Sequence, residues 1–402
     1  MAADLRSTHA VRERCGNILQ AVRGGQSRHW TVHSAQLENA ADVVAQVTRA
    51  RYPDGHIPYH SRWRHFEAGG INRHAALRQK FMQDKSAVLS NDWTKCAIDL
   101  IVTSVLLDAG AGADWGYLEN GVRYTRSEGL GVASFHAFER GMFSSDAAFP
   151  LQANASKLLA INPSDTLSML QVTANNPVIG AEGRTILLNR LGQALVARPD
   201  VFGAAQRPAG LFDVLTLNGT LKSITAHDIL SVLLDSLSSI WPSGNSLDGV
   251  FLGDCWQHPL AGGATVTEGW VPFHKLSQWL TYSLIEAFEQ GGTQVTGLDA
   301  LTALPEYRNG GLLIDAGVIQ AKHAALLTQP LGAADEAIIE WRALTVALLD
   351  ELAPLVRTRL QHPSMPLAKI LEGGTWAAGR ALAHKLRGGL PPLNITTDGT
   401  VF

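Results

Sequence analysis

The sequence predicts a mostly α fold: a single large helical body with few short strands, with a two-lobed arrangement as the open alternative. Apolar residues recur at three- and four-residue spacing in several long stretches, whereas alternating polar and apolar residues are scarce. Of the 402 residues, 46% are hydrophobic and 17% charged, which suits one large core or two ordinary ones. We therefore predict one domain over residues 1–402, with a candidate lobe boundary near residues 200–220, where Pro and Gly residues interrupt the pattern.

Specific patterns predict four of the helices. Ala97–Leu107 is apolar on nearly every side, which is typical of a central helix buried by its neighbours. Thr225 and Asp228 have the spacing of a capping box and precede an apolar stripe. Two further stripes cover Leu276–Phe288, which a glycine pair follows, and Ile338–Leu355. The stretches that predict short strands are Gly269–Phe273 and Leu393–Phe402.

Composition and charge exclude several classes of function. The net charge of −3 argues against nucleic-acid binding, which needs a dense basic face. The three cysteines lie far apart in the sequence and are expected to be reduced thiols. The N-terminus has no apolar signal segment, and the most apolar run, Leu100–Leu107, is too short to span a bilayer. We therefore expect a cytoplasmic protein with no membrane partner.

The segment 59–70 is the most informative part of the sequence. It combines arginines, histidines and aromatic residues, of which Arg62, Trp63, Arg64 and His65 are candidates for substrate binding. A guanidinium group binds phosphate or carboxylate well, and flanking rings can enclose a small polar ligand. A proline precedes the segment, so we expect a structured loop rather than a helix. The alternative is a solvated basic loop with one buried tryptophan.

A second cluster lies at residues 372–380. Its glycines and alanines allow a backbone or a ligand to approach closely. If Thr375 opens a helix, Trp376 and Arg380 lie on one face of it, beside unpaired first-turn N–H groups that suit an anion. The alternative interpretation of the small residues is tight helix packing.

Further segments carry polar groups that core helices do not need. Asp108 and Trp115 belong to a small-residue turn that follows the predicted central helix. Ser127 is expected to cap the next helix and Glu128 to lie in its first turn, with a role in binding as the functional alternative. Two later segments add six candidates, namely His274, Lys275 and Gln278 at a helix start and Glu306, Tyr307 and Arg308 in a turn. A surface Glu–Arg pair in that turn would contribute less than about 1 kcal/mol and proves little alone.

Known motifs narrow the chemistry. Asp254, Cys255 and His258 lie close in sequence, but they form neither an HExxH nor a paired CxxC pattern, so we expect neither metal nor cofactor. There is no nucleophile elbow and no Walker loop. An acid–base site built from carboxylates, aromatic residues and arginines remains, and it suits hydrolysis of a small phosphorylated or ureido compound.

At these segments the chain resembles a known family. His60–Glu67, Leu106–Gly112, Arg126–Leu130, Leu304–Arg308 and Leu371–Arg380 are similar to segments of the fourth protein of the URC uracil-catabolism pathway, and the match extends from about residue 35 to the final Asp398–Phe402. The resemblance implies a place in a pathway that converts uracil to its ribonucleotide, opens the ring and releases urea. A step that cleaves a ribosylurea species is then required, and other enzymes of uracil catabolism are candidate partners.

A fainter similarity suggests which bond is cleaved. Phe273–Gln278 followed by Leu301–Arg308 resembles the helical queuosine 5′-phosphate N-glycosidases, which are similar to helix-hairpin-helix DNA glycosylases. Those enzymes use a carboxylate to support an oxocarbenium-like transition state. This chain has Thr281, Tyr282 and Ser283 where that carboxylate is expected, so Glu306 and Asp108 are the catalytic candidates.

The first hypothesis is therefore a hydrolase that cleaves the N-glycosidic bond of a ribosylurea 5-phosphate-like intermediate and releases urea and a ribose phosphate. One alternative is an amidohydrolase or lyase that acts on the ring-opened uridine nucleotide, in one version through a metal at Asp254, Cys255 and His258. The other alternative is a non-catalytic pathway protein that binds a nucleotide.

Overall fold

The computed structural model describes residues 2–83, 90–241 and 243–396, and within them the predicted mostly α fold is confirmed. The α-helices are α1 (Thr8–Arg23), α2 (Gln36–Arg51), α3 (Trp63–Phe66), α4 (Arg73–Gln83), α5 (Ser90–Leu106), α6 (Arg126–Glu139), α7 (Ala155–Ala160), α8 (Pro163–Met169), α9 (Ala181–Ala197), α10 (Pro199–Phe202), α11 (Gly210–Thr216), α12 (Ala226–Leu237), α13 (Lys275–Gln290), α14 (Tyr307–Asp315), α15 (Glu336–Leu360), α16 (Leu367–Ile370) and α17 (Trp376–Arg387). A π-helical turn, Leu371–Thr375, joins the last two.

The strands of the described ranges are short and pair two by two. They are β1 (Trp30–Val32), β2 (Gly116–Glu119), β3 (Val122–Thr125), β4 (Ser223–Thr225), β5 (Ser246–Leu247), β6 (Val250–Phe251), β7 (Cys255–Gln257), β8 (Trp270–Pro272), β9 (Gln294–Thr296), β10 (Ile319–Ala321), β11 (Pro330–Leu331) and β12 (Asn394–Ile395). The pairs are β1–β10, β2–β3, β5–β6 and β7–β8, which are antiparallel, and β4–β9 and β11–β12, which are parallel.

The helices predicted from sequence patterns are present. Ala97–Leu107 falls mostly within α5 and is buried along its length. The side chain of Thr225 accepts a hydrogen bond from the N–H of Asp228 at 3.0 Å, and the carboxylate of Asp228 accepts one from the N–H of Thr225 at 3.0 Å. The stripes over Leu276–Phe288 and Ile338–Leu355 form α13 and α15. Both predicted strand regions contain a strand, β8 and β12, although residues 397–402 lie outside the described part of the chain.

Two local predictions were wrong. The segment 59–70 is not a loop throughout, because Trp63–Phe66 forms α3, a short helix whose Trp63 and Phe66 are fully buried. Ser127 does not cap the next helix. That helix, α6, already begins at Arg126, which has a φ of 56°. Thr125 therefore occupies the N-cap position, and its side chain makes no capping hydrogen bond. Glu128 does lie in the first turn, as expected.

The chain forms two compact units, each assembled from separate stretches of sequence. Unit 1 consists of Met1–His60, Asn245–Gln278 and Leu298–Thr396, and unit 2 includes Ser61–Gly244 and Trp279–Gly297. The stretch 200–220, in which the sequence suggests a lobe boundary, lies inside unit 2.

Each unit has its own helical core. In unit 1, α15 packs against α1 and α2, and α17 packs against α14. In unit 2, α5 packs against α6, α9 and α11, and α9 packs against α7 and α8. No helix of residues 2–83, 90–241 or 243–396 is long and apolar enough to cross a membrane.

Candidate functional site

The candidate residues fall into two groups, one in each unit. Those of unit 1 are His274, Lys275, Gln278, Glu306, Tyr307, Arg308, Trp376 and Arg380. Those of unit 2 are Arg62, Trp63, Arg64, His65, Asp108, Trp115 and Glu128. The two candidate catalytic carboxylates, Glu306 and Asp108, therefore belong to different units, and each group has its own geometry.

Glu306 is the N-cap residue of α14. Its Oε1 accepts a hydrogen bond from the N–H of Asn309 at 2.6 Å, and its Oε2 accepts one from the N–H of Arg308 at 2.7 Å. Burial raises the pKa of Glu306 above its ordinary value, while the two N–H groups and the charges of Lys275 and His60 oppose that rise. The two hydrogen bonds orient the carboxyl group, and the residue as a whole stays partly exposed.

Lys275 is buried at the start of α13, where an ion pair fixes the backbone. The N–H of Lys275 donates to Oδ2 of Asp254 at 2.9 Å, and Arg342 donates to both oxygens of Asp254 at 2.8 and 2.7 Å. Burial alone would raise the pKa of Asp254, but the charge and hydrogen bonds of Arg342 hold it well below its usual range. The ionised Asp254 thus positions Lys275, whose charge acts on Glu306.

His60 and Glu372 form a buried pair in the same unit. Nδ1 of His60 lies 2.8 Å from Oε2 of Glu372, and both side chains are 8% exposed. Oε1 of Glu372 accepts hydrogen bonds from Arg51 and from the hydroxyl of Tyr52, each at 3.0 Å. Burial alone would raise the pKa of Glu372, but the bond from His60 and the charges of His60 and Arg51 hold it below its ordinary value. The ionised carboxylate therefore orients the imidazole ring.

The π-helical turn explains how Glu372 reaches this position. A π-helical turn is rare and often occurs at functional sites. Here it carries Glu372 and the glycines that follow, and an added side chain at Gly374 would collide with Val44 and Thr48 of α2. A side chain at Gly379 would collide with the backbone of Arg308. The small residues of this segment therefore serve tight packing, the alternative that the sequence left open.

Partly exposed aromatic rings surround the polar groups of unit 1. The ring centroids of Trp376 and His60 are 6.4 Å apart, and the guanidinium carbon of Arg380 lies 5.6 Å from the Trp376 ring centroid. Nζ of Lys369 lies 5.6 Å from the ring centroid of Tyr59. The first residues of segment 59–70 thus contact the segment that begins at residue 372. Cations beside partly exposed rings suit a phosphorylated or planar polar ligand.

Three other candidates of unit 1 are buried and bound to the protein. His274 donates from Nε2 to the carbonyl of Leu5 at 2.8 Å, and burial lowers its pKa, which favours the neutral ring. Gln278 exchanges hydrogen bonds with Thr302 at 2.6 and 2.7 Å and so fixes the segment that leads to Glu306. Arg308 is 2% exposed and its guanidinium carbon lies 4.8 Å from the centroid of its neighbour's ring, that of Tyr307.

In unit 2, Arg62 and Asp108 form a buried ion pair. Nη1 of Arg62 lies 2.9 Å from Oδ1 of Asp108, and the indole N–H of Trp279 donates to Oδ2 of Asp108 at 3.1 Å. Arg62 also donates to the hydroxyl and the carbonyl of Ser104, to Nδ1 of His65 and to the carbonyl of Ser127. These groups engage all three of its nitrogens and the side chain is fully buried, which favours a supporting role over the expected binding of phosphate.

The remaining candidates of unit 2 have mainly structural surroundings. Arg64 donates to Oε1 of Glu286 at 2.7 Å. Trp63 is fully buried and its indole N–H donates to the carbonyl of Ser283 at 2.9 Å. Trp115 belongs to a hydrophobic cluster and donates to the carbonyl of Leu170 at 2.9 Å. Glu128 is partly buried in α6. The side chains of Arg62, Trp63 and Trp115 are all fully buried, which favours a structural role for them.

The three residues of the metal alternative do not converge. Asp254 forms an ion pair with Arg342, which donates to it at 2.7 Å. Burial raises the pKa of the Cys255 thiol well above its usual value. Nε2 of His258 lies 3.5 Å from Oε2 of Glu340. Within the described ranges, no group of three or more His, Cys, Asp or Glu residues is arranged to hold a metal ion.

Sequence reasoning missed the residues that complete the unit 1 site. Arg51, Tyr52, His60 and Glu372 were not among the candidates, although His60 and Glu372 lie in the two segments that the sequence singled out. Their pairing spans 312 residues, and no local pattern shows that such distant residues meet. We call Glu306, Lys275, His60 and Glu372 the unit 1 cluster.

Comparison with known proteins places the chain in a family. The family described as "Protein of unknown function (DUF1688)" matches residues 4–402. The chain is 36% identical to "Uracil catabolism protein 4" of Lachancea kluyveri over 432 residues, which cover 99% of this chain and 98% of that protein. It is 37% identical to "Protein urg3" of Schizosaccharomyces pombe over 409 residues, which cover 100% of this chain and 98% of that protein. This protein belongs to the DUF1688 family, and it is similar over its whole length to a protein named for uracil catabolism.

Proposed function

We propose that this protein is a hydrolase of uracil catabolism that cleaves the N-glycosidic bond of a ribosylurea 5-phosphate-like intermediate and releases urea and ribose 5-phosphate. The observation that carries the proposal is the unit 1 cluster, in which a carboxylate, a lysine and a carboxylate-bound imidazole come together. The relative named for uracil catabolism supports the pathway. Other enzymes of that pathway are the proposed partners, and the reaction needs no cofactor.

Glu306 is the proposed catalytic carboxylate. As the bond between C1′ and nitrogen breaks, its electron pair leaves with urea and positive charge develops on the sugar ring. A carboxylate held by two backbone N–H groups is already oriented and needs no reorganisation to stabilise that charge. Water then forms the new bond to C1′, and one proton passes from water to the urea nitrogen, so that atoms and charge balance.

The cations near the cluster are proposed to bind the phosphate. Lys275 is buried beside Glu306, whereas Arg380 and Trp376 are partly exposed on α17. Within the segment similar to the glycosidases, Lys275 opens α13 and Glu306 caps α14. Tyr307 and Trp376 would enclose the ligand and exclude water.

Asp108 remains a second candidate for the catalytic carboxylate. It is held by Arg62 and Trp279 in unit 2, and these two contacts orient its carboxyl group. Its partners also give it a sufficient structural role, which is why we assign the chemistry first to Glu306.

The direct test is to incubate the purified protein with ribosylurea 5-phosphate and to follow urea and ribose 5-phosphate together by mass spectrometry. We expect both products in equal amounts. Intact substrate with measurable binding would reject the hydrolase and favour a nucleotide-binding protein. Ammonia or carbamate without ribose 5-phosphate would instead indicate cleavage of the ureido group.

A further inference from the structure

We propose that His60 is a catalytic residue that carries the proton from the attacking water to the departing urea nitrogen, and that Glu372 is a positioning residue that holds His60 in the required tautomer. This inference rests on the proposed function and adds to it two residues that the sequence analysis did not select. It answers a question which the carboxylate alone leaves open, namely how a poor nitrogen leaving group obtains its proton.

The geometry fixes the state of the imidazole ring. Glu372 is ionised and can only accept hydrogen bonds, so Nδ1 of His60 must donate across the 2.8 Å contact. In the neutral ring the lone pair is then on Nε2, the atom that can receive a proton. The backbone N–H of His60 donates to the carbonyl of Ala368 at 3.0 Å, which restrains the residue from its other side.

The charged groups around His60 suit a proton carrier. Glu372 contacts the ring directly at 2.8 Å, and Glu306 is a second carboxyl group close enough to interact with it by charge. Arg51 lies beyond, bound to the other oxygen of Glu372 at 3.0 Å. A carboxylate in contact with the ring can offset the charge that the ring carries while it holds the transferred proton.

The proton balance closes without another reactant. As the bond between C1′ and nitrogen breaks, the imidazolium form of His60 gives its Nε2 proton to the urea nitrogen, which takes the electron pair of that bond. Water then forms its bond to C1′ and returns one proton to Nε2. His60 thus returns to its starting state in each turnover. Such transfer contributes about 10²–10⁴ in rate for a leaving group that needs a proton.

The position of Glu372 indicates that this pair has more than a packing role. A buried carboxylate costs free energy, and here it is placed by a π-helical turn whose glycine cannot carry a side chain. The pair of His258 and Glu340 in the same unit offers the contrast. It is buried even more deeply, but the two side chains are 3.5 Å apart and an ordinary helix, α15, supplies the glutamate.

The test compares two substrates in each variant. Ribosylurea 5-phosphate needs a proton on its leaving nitrogen, whereas 4-nitrophenyl riboside 5-phosphate releases a nitrophenolate that needs none. We expect His60→Gln to lower kcat for the urea substrate by about 100-fold or more and for the nitrophenyl substrate by less than about 10-fold. Glu372→Gln should show the same preference with a smaller loss, and the control His258→Gln should leave both rates unchanged.

The outcomes separate this inference from the proposed function. Equal losses on both substrates in His60→Gln, with wild-type cleavage intact, would show a merely structural role and overturn the inference alone. Unchanged rates in that variant would overturn it as well. If the wild-type protein cleaves neither substrate, the proposed function itself fails, and the inference fails with it.

Discussion

The two carboxylates that the sequence nominated for catalysis have opposite surroundings. Asp108 of unit 2 is paired with Arg62, whose nitrogens are engaged by serine, histidine and carbonyl groups. Glu306 of unit 1 keeps partial exposure and is bound mainly by the N–H groups of its own helix. Both are oriented, but only Glu306 has a lysine and a carboxylate-bound histidine near it.

This difference shows how to separate a supporting charge from a reactive one. A buried ion pair is expensive to break, because removal of one member leaves the other charge buried without its partner. A carboxylate whose pKa is raised by burial, beside a cation and an imidazole, is typical of sites that transfer protons or stabilise charge. The comparison therefore favours a supporting role for Arg62 and the proposed chemistry for Glu306.

The largest expected effect is on kcat when the two carboxylates are neutralised. Glu306→Gln should lower kcat by about 10²–10⁴, because it removes the charge that stabilises the sugar cation. Asp108→Asn should lower kcat by less than about 10-fold. Steady-state release of urea measures both. Since Glu306 also caps α14, Thr225→Ala, which removes the cap of α12, is the control for the loss of a cap. The reverse order of effects would move the chemistry to Asp108.

The second effect is on stability, and it concerns Arg62. Arg62→Met should lower the free energy of unfolding by about 3–5 kcal/mol, because Asp108 would remain buried without its cation. The control is Arg198→Met in the same unit, where Arg198 pairs with Asp200 and Asp235 at the surface and should contribute about 1 kcal/mol or less. Urea denaturation compares them. Equal shifts in the two variants would contradict a supporting role for Arg62.

A smaller effect is expected on substrate binding at Arg380. Arg380→Ala should raise KM for the phosphorylated substrate by about 10-fold, which corresponds to about 1.4 kcal/mol, while KM for the dephosphorylated compound changes little. The aromatic partner Trp376 and the packing of α17 stay in place, so the variant should remain folded. Equal increases in KM for both compounds would reject the phosphate role.

The smallest effect concerns stability in acid, and it arises away from both carboxylates. The bond from Arg73, together with that from His136, lowers the pKa of Glu119 in unit 2 from 4.5 to about 2. The unfolded chain therefore binds this proton first, so the contribution of Glu119 is present above about pH 4.5 and is lost as the pH falls towards 2. Glu119→Gln should flatten the fall of the urea midpoint in this range, whereas Glu336→Gln, an exposed carboxylate, should not. A curve identical to the wild-type one would contradict the shift.

The sequence predicted most of the helices because their signals are local. The apolar residues of α5 and the capping box of Thr225 and Asp228 lie within one or a few turns, so their spacing is sufficient evidence. The start of α6 was misplaced because Arg126 adopts a left-handed backbone conformation, which is not expected of an arginine from sequence. Arg62 was predicted to bind phosphate because the sequence does not show that its N–H groups donate to other groups of the protein.

The site was predicted only in part, for a related reason. Lys275 and Glu306 lie in two neighbouring segments that resemble the same family, and this resemblance identified both residues. His60 and Glu372 are far apart in sequence, and the contact depends on a π-helical turn and on glycines that pack against α2. Each segment carried a visible signal, but only the fold shows that the histidine of one is bound by the glutamate of the other.

The most direct test of the central claim is a single-turnover experiment with ribosylurea 5-phosphate, in which urea and ribose 5-phosphate are quantified for the wild-type protein, Glu306→Gln and Asp108→Asn. The account predicts equal amounts of both products from the wild-type protein and from Asp108→Asn, and a rate lowered by at least about 100-fold in Glu306→Gln. Unchanged turnover in Glu306→Gln, or a wild-type protein that leaves the substrate intact, would contradict it.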